Sequence, residues 1–289
     1  MRVGYWSSPD GDDVEMTLLP VGHDGGGARH GLTGSGAVSA LATSSGEELR
    51  QQCPLLASTL AQLADALASQ TAAAANQILP TDQLSAAERA LLFDILGEGE
   101  VSGIVALPDR RVAQIQESVM TGLWRVRIEA DAEQPQLDYL EIGAIPAIVT
   151  HAAHDFTVPE FTVGDPPPGV MNVMPVLAEI RERVSSHRAG QASHVINFTL
   201  LPMNAADMAH LVDTLGNGPI QLFSRGYGSC RVLATGVRHV WSVQFLNSME
   251  TPILDTIEIG DVPAAVCAAN EDFHDSAERL DEIIEAYFR

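Results

Sequence analysis

Apolar residues recur with helical spacing in several stretches of the chain. The stripe from Met208 to Leu215 follows the i, i+3, i+4, i+7 pattern, and Gly216 stands where such a helix would end. Pro54, followed by leucines at helical spacing, predicts a helix that extends through the Ala-rich run 72–75. The same spacing predicts a helix over 174–184 and a C-terminal helix capped by Asp275 and Glu278.

Elsewhere the pattern changes to the strict alternation of a half-buried strand. Trp124, Val126 and Ile128 alternate with arginines, and Trp241 begins a similar run. A last strand is predicted in two places, at 140–143 and at 257–260, and a proline closes each shortly afterwards.

These patterns occur twice because the stretch 201–273 resembles an earlier stretch at about 79–156. Both copies open with a capping box, Ser85 with Glu88 and Asn204 with Asp207. Near their ends, 140–156 aligns with 257–273 without a gap; the identical residues in the first copy are Glu141, Ile142, Gly143, Pro146, Ala147, Val149, Ala152, Asp155 and Phe156. We therefore predict an α+β fold of two pseudosymmetric repeats. Each repeat is a capped helix plus a small, mainly antiparallel sheet, and extra helices flank them.

The duplication also predicts the domain organisation. Residues 1–45 are a flexible Gly/Ser-rich tail, and 46–156 hold the N-terminal helix and the first repeat. A Pro-rich linker follows at 157–172, and 173–289 form the second repeat with the C-terminal helix. We expect that helix to pack on its own repeat.

Composition narrows the class of partner. The net charge of -22 and the lack of a basic cluster argue against nucleic acid and against an anionic membrane surface. A partner with a basic face, or a cation, is compatible with it. Three cysteines are too few for a disulfide framework, and no apolar run is long enough to enter and span a membrane. A cytoplasmic protein is the simplest expectation.

The Gly-rich loop 226–231, GYGSCR, is the most unusual local sequence. Its glycines permit a hairpin turn or a close backbone approach to a partner. Cys230 beside Arg231 predicts either a thiol of depressed pKa that binds metal or reacts, or a buried or idle small residue. Arg225 and Arg231 flank the loop and are candidates for contact with a partner carboxylate.

Two further groups of residues are candidates for binding. Glu98 and Glu100 lie in a second loop, where they would hold a cation or a basic partner residue, or form an exposed acidic turn. His151 and His154 have the spacing for a metal, although Ala268 and Glu271 replace them in the second copy, which favours a solvated helix.

No nucleophile, base and orienting group stand together in the sequence, which is weak evidence against an enzyme.

Several long motifs occur in an order that resembles one known family. The segments LLFDILGEGEVS, GLWRVR, INFTLLP, SRGYGSCRV, ATGVRHVW and PILDTIEIGDVPAAVCAA are similar to the HyaF/HupH family of nickel-iron hydrogenase expression and maturation proteins. The motifs of that family mark two sets of residues here. In the first repeat they are Gly97, Glu98, Gly99, Glu100, Gly122, Leu123 and Trp124, and in the second Gly226, Tyr227, Gly228, Arg238, His239 and Trp241.

The resemblance implies a non-catalytic, chaperone-like role in hydrogenase assembly. The implied partners are the iron-sulfur small subunit precursor or other maturation factors. We expect no cofactor, although iron is possible, and we expect Trp124, Trp241 and Tyr227 to contact a partner together with the loop residues. Two hypotheses compete with this one. The first is a metal carrier or metal-dependent enzyme that uses Cys230, histidines and loop carboxylates, and the second is a small-molecule site in a cleft between the repeats.

Overall fold

The computed structural model describes residues 53–131, 134–226 and 228–288. The predicted N-terminal tail therefore lies outside the described residues. Within those ranges the chain is a mixed α/β protein with six α-helices. They are α1 (Pro54–Ser69), α2 (Ala86–Leu96), α3 (Ala147–Asp155), α4 (Val173–Ser186), α5 (Ala205–Leu215) and α6 (Asn270–Phe288).

The strands of the described ranges form one ten-stranded antiparallel sheet rather than two small sheets. In the first half they are β1 (Gln77–Pro80), β2 (Val101–Ala106), β3 (Val112–Glu117), β4 (Leu123–Ile128) and β5 (Leu137–Ile142). In the second half they are β6 (His194–Asn197), β7 (Asn217–Ser224), β8 (Ser229–Thr235), β9 (Val240–Leu246) and β10 (Pro252–Ile259). Their order across the sheet is β1-β5-β4-β3-β2-β7-β8-β9-β10-β6.

The two halves meet where β2 pairs with β7. Val101 lies opposite Ser224 and Val105 lies opposite Ile220, so the first strand of each four-stranded meander is hydrogen-bonded to that of the other. Val105, Ile220 and Leu222 are fully buried there. The sheet is therefore continuous and apolar at this joint.

The N-termini of α2 and α5 confirm the two predicted capping boxes. The Ser85 side chain accepts from the Glu88 N–H and the Glu88 carboxylate accepts from the Ser85 N–H; Asn204 and Asp207 make the same reciprocal pair. Because a capping box satisfies backbone donors that the helix itself leaves free, it fixes where the helix begins.

The same two carboxylates reach a second helix in each half. Glu88 Oε1 accepts from the Leu55 N–H at the start of α1. Asp207 Oδ1 accepts from three successive N–H groups at the start of α4, those of Met171, Asn172 and Val173, at 2.8, 2.8 and 3.1 Å. Burial alone would raise the pKa of Asp207, but these backbone hydrogen bonds outweigh it and lower the pKa. One buried carboxylate thus ties two helix N-termini together.

Apolar side chains of the described ranges pack in three clusters. Along β4, Leu123 joins a cluster with α1, α2 and α6, whereas Trp124 and Val126 join a central cluster with α3 and the 3-10 turn Ala264–Val266. Since neighbouring residues of a strand point to opposite faces, these clusters lie on opposite sides of the sheet. The third cluster packs α4 and α5 against β9, β10 and β6.

The predictions for two helices were wrong in part. Helix α1 ends at Ser69, not in the Ala-rich run, because the Gln70 backbone is extended. The Gln70 side-chain amide donates to the Thr71 and Ala75 carbonyls. Helix α6 begins at Asn270, five residues before Asp275, and the Asp272 carboxylate accepts from the Ala269 N–H there.

The expectation that α6 packs on its own repeat was wrong, because it packs on the first half of the molecule. It lies against α1, and the Ser276 hydroxyl donates to the Thr121 carbonyl at 3.0 Å. The Phe273 ring occupies the space that a Cβ on Gly122 would take. A glycine in the first half therefore makes room for a helix that follows the second half.

The Pro-rich stretch between the halves has one short pairing with the sheet. Val158 forms an isolated parallel bridge with Val237, and residues 159–168 are neither helix nor strand. Phe161, Val163 and Val170 then pack on the third cluster. None of the helices in the described ranges is both long enough and apolar enough for a membrane span.

Asp207→Ala tests the carboxylate that joins α4 to α5. Four backbone N–H groups lose their acceptor, so we expect the free energy of unfolding at pH 7 to fall by about 2–4 kcal/mol in denaturant titrations. The exposed Asp213→Ala in the same helix is the control and should change it by less than about 0.5 kcal/mol.

The pH dependence has a definite sign. Because folding lowers the pKa of Asp207, its stabilisation is complete above the ordinary value of 3.8 and is lost as the pH falls through the folded value. Wild type should therefore lose stability in acid faster than Asp207→Ala does. Equal acid sensitivity would contradict the role given to this carboxylate.

Candidate functional site

The two loops singled out in the sequence lie side by side. Residues 97–100 precede β2 and residues 225–228 follow β7, and the pairing of Val101 with Ser224 brings these strand ends together. The Arg225 N–H donates to the Glu100 carbonyl at 3.0 Å. We call residues 97–100, 225, 226 and 228 the joint surface. Tyr227 lies outside the described residues.

Glycines let the backbone approach its neighbours closely on this surface. A Cβ on Gly226 would collide with the Glu100 carboxylate, and a Cβ on Gly99 would collide with the Ser118 carbonyl. The Gly99 N–H donates to the Glu117 carbonyl at 2.7 Å. The glycines therefore have a packing role, and the side chains of Glu98, Glu100 and Arg225 remain exposed.

The two tryptophans predicted to contact a partner, Trp124 and Trp241, are core residues instead. Trp124 is 0% exposed and Trp241 is 2% exposed, and the Trp124 indole N–H donates to the Gly143 carbonyl at 2.9 Å. Their burial removes both indoles from the surface on which a partner would dock. The alternation of β4 and β9 already predicted this, because each tryptophan shares its face with buried valines.

Cys230 and Arg231 point to opposite faces of the sheet. Cys230 is buried in the central cluster, and the half-buried Arg231 guanidinium lies 5.4 Å from the centroid of the Phe223 ring. Burial, and then the Glu258 charge, raise the pKa of Cys230 to about 11. Its neighbour Arg231 does not activate the thiol, because the arginine lies across the sheet. The prediction of a depressed pKa was therefore wrong, and the alternative of a buried small residue is confirmed.

The other two thiols are also held protonated. Burial raises the pKa of Cys53, and burial followed by the Glu117 charge raises the pKa of Cys267 to about 12. All three cysteines are free. Since the thiolate is the form that binds metals and attacks electrophiles, none of these positions is activated at neutral pH.

The predicted metal candidates are not brought together. His151 and His154 are exposed on α3, and the His154 Nδ1 lies 2.7 Å from its neighbour Asp155. Among the described residues, the group of three or more potential ligands that the fold does assemble is His187, His239 and Asp261. This group contains neither Cys230 nor the joint-surface carboxylates.

His239 and Asp261 of this group line a cavity of about 140 Å³, together with Trp241 and His154. Burial and the nearby His187 lower the pKa of His239, so that ring is neutral near pH 7. Sequence patterns marked His239 through the motif ATGVRHVW but missed His187 and Asp261. No local signal links them, because they lie in segments that only the fold brings together.

Glu117 is a second residue that the sequence patterns missed. It is 3% exposed, and its Oε1 accepts from the Gly122 N–H at 3.2 Å. Burial raises its pKa to about 7, and the charges of Asp272 and Glu100 act in the same direction. A buried carboxyl that titrates near neutral pH thus lies beneath the joint surface.

The chain is similar in sequence to known proteins. The family model described as HupH hydrogenase expression protein, C-terminal conserved region, matches residues 53–162 and again residues 170–287. The chain is 46% identical over 289 residues, 100% of both chains, to hydrogenase expression/formation protein HupH of Rhizobium leguminosarum bv. viciae. It is 38% identical over 210 residues to hydrogenase-1 operon protein HyaF of Escherichia coli K12, covering 72% of this chain and 73% of that protein.

A solved structure was also found, that of hydrogenase expression protein HupH from Thiobacillus denitrificans. It is 23% identical and has a TM-score of 0.34, covering 40% of this chain and 95% of that chain.

The sequence matches define the class as that of the hydrogenase expression/formation proteins. Within that class, the chain belongs to the HupH family, and the resemblance noted from the motifs is confirmed.

Glu117→Gln tests the buried carboxyl. Because folding raises its pKa from 4.5 to about 7, the ionised form destabilises the fold, and wild type should lose about 3 kcal/mol between pH 4.5 and 7.5 from this group. The glutamine keeps an acceptor for Gly122 and cannot ionise. We expect the variant to show a flatter profile in denaturant titrations and to exceed wild type in stability above pH 7. Parallel profiles would contradict the raised pKa.

Proposed function

We propose that this chain is a non-catalytic accessory protein of nickel-iron hydrogenase maturation that binds the iron-sulfur small subunit precursor through its joint surface. The names of its relatives, hydrogenase expression/formation proteins, support the general role. The observation that carries the proposal is the adjacency of the two Gly-rich loops at β2 and β7, which are separated by more than a hundred residues in sequence.

The chemistry of the joint surface suits recognition of a protein. Its glycines expose backbone and its charged side chains are solvated, so a partner meets little steric obstruction there. Carboxylates at an exposed rim, on a chain of net charge -22, favour encounter with a basic surface. A docking protein needs this kind of surface rather than a deep pocket.

The halves present different chemistry to a partner. Asn217 and Pro219 stand in the second half where Glu98 and Glu100 stand in the first. We infer that the halves are copies of one ancestral unit. In this proposal the partner binds at the loop that carries Glu98 and Glu100, and the corresponding loop of the second half does not take part. The neutral thiols weigh against the alternative of an iron carrier built on Cys230. We place the protein in the cytoplasm, where a precursor is assembled.

Anaerobic co-purification with the tagged small subunit precursor from the same cell tests the proposal. We expect a stable complex of this chain with the precursor. Tagged maturation factors from the same cell serve as a second bait. Iron is measured on the free chain and on the complex. Stoichiometric iron on the free chain without any complex would contradict the docking role and favour the carrier.

The double variant Glu98→Gln/Glu100→Gln tests the joint surface. We expect binding of the precursor to weaken about 10-fold, mostly through slower association, and the salt dependence to decrease, because rim charges act on encounter. The control Glu182→Gln/Glu282→Gln removes the same charge from exposed helical positions and should bind as wild type does. Equal weakening by both pairs would point to net charge alone.

Gly226→Ala is a second test that leaves every charge in place. Its new methyl group would displace the Glu100 carboxylate, which is the flexible end of an exposed side chain, so the fold should remain intact. We expect an unchanged melting temperature and a loss of affinity comparable to that of Glu100→Gln. Unchanged affinity would exclude the position of Glu100 as a determinant of docking.

A further inference from the structure

Three separate elements converge on the cluster of His187, His239 and Asp261. His187 follows the last residue of α4, His239 lies in the turn between β8 and β9, and Asp261 follows β10. Each offers one ligand atom, and these atoms all lie within 4.8 Å of one another. The His187 Nε2 is 3.1 Å from the Asp261 Oδ1, and the centroids of the two imidazole rings are 4.4 Å apart.

The cluster is supported by its surroundings. The Gly190 N–H donates to the Asp261 Oδ2 at 2.7 Å, which orients the carboxylate and leaves Oδ1 toward His187. The His187 side chain is only 6% exposed. Outer contacts of this type fix the orientation of ligands at metal sites.

The first half provides an internal comparison for His239. Its corresponding residue is Gly122, because the Gly143 N–H donates to the Gly122 carbonyl at 3.0 Å and the Gly260 N–H donates to the His239 carbonyl at 2.8 Å. Both residues are left-handed, with φ of 85° at Gly122 and 66° at His239. Glycine adopts this conformation without strain, whereas histidine does not.

The other two positions differ in the same way. Gln70 caps α1 where His187 caps α4, and Ala144 follows Gly143 where Asp261 follows Gly260. The second half therefore carries three ligating side chains where the first half carries an amide, no side chain and a methyl group. A strained histidine at one of these three positions needs a functional reason, since the fold accepts glycine there.

The adjoining cavity holds an unsatisfied donor. The Trp241 indole nitrogen is buried without a hydrogen-bond partner among the residues that the structure describes, whereas the corresponding Trp124 donates to the Gly143 carbonyl. Trp241 lines the cavity together with His239 and Asp261. The volume of about 140 Å³ has room for water or a small anion that would accept from the indole.

We propose that His187, His239 and Asp261 bind one divalent first-row transition metal ion, with a remaining coordination position toward the Trp241 cavity. Two imidazoles and a carboxylate suit such ions, and bonds of about 2.0–2.2 Å require the side chains to close by only small rotations. Mg²⁺ and Ca²⁺, which prefer oxygen ligands, should not compete. The site lies apart from the joint surface and does not rest on the docking role proposed above.

Zn²⁺ titration of the metal-stripped full chain, against a chromophoric chelator, tests the site. We expect one Zn²⁺ per chain in the presence of millimolar Mg²⁺. His239→Gly and Asp261→Asn should each weaken binding by more than about 100-fold, because each removes or neutralises a ligand. His151→Ala, an exposed histidine outside the cluster, should bind as wild type does.

Thermal unfolding separates a lost ligand from a damaged fold. Without metal, His239→Gly should melt at or above the wild-type temperature, because glycine relieves the left-handed strain. Saturating Zn²⁺ should raise the melting temperature of wild type and leave that of His239→Gly unchanged. The proposal is overturned if wild type takes up no stoichiometric Zn²⁺, or if both variants bind it as wild type does. Precursor binding is measured separately, so either proposal can fail alone.

Discussion

The antiparallel pairing of β2 with β7 is the contact on which the rest of the molecule depends. Each half alone has four meander strands and one short outer strand, and its first meander strand would be an open edge with unpaired backbone groups. Pairing the two edges satisfies those groups and closes the apolar joint around Val105, Ile220 and Leu222. It also sets the two Gly-rich loops beside each other. The same set of backbone hydrogen bonds thus holds the two halves together and forms the candidate docking surface.

The two halves share the same capping and turn hydrogen bonds but differ in the chemistry of their exposed side chains. In both, a buried carboxylate caps one helix and holds the start of another, and a hydroxyl-bearing residue, Ser118 or Thr235, closes the turn before a tryptophan strand. The differences collect in the loops and turns. Glu98 and Glu100 of the first half correspond to Asn217 and Pro219 of the second, and within the described ranges the histidine-aspartate cluster lies in the second half. A common scaffold therefore carries two unlike surfaces.

Local chemistry was predictable from the sequence, and long-range contacts were not. Both capping boxes were found because their residues are three positions apart, and the tryptophan strands were found by alternation. Alternation also places Cys230 with Val232 and Ala234, which agrees with the buried alternative predicted for this residue. The pairing of β2 with β7 could not be predicted, because no local sequence pattern indicates which strand pairs with which. The contact between His187 and Asp261 was missed for the same reason, since the two residues are 74 positions apart.

The position of α6 has a consequence for how the chain is made. Leu280 and Phe273 of α6 belong to a cluster that also holds Leu56, Leu60 and Leu63 of α1, which are translated long before them. The part of α1 that packs on α6 consequently stays uncovered until α6 has been translated. A chain that stops before Asn270 would keep every strand described in both halves and yet lack this cover for α1. The first half therefore completes its packing only after the strands of the second half have been translated.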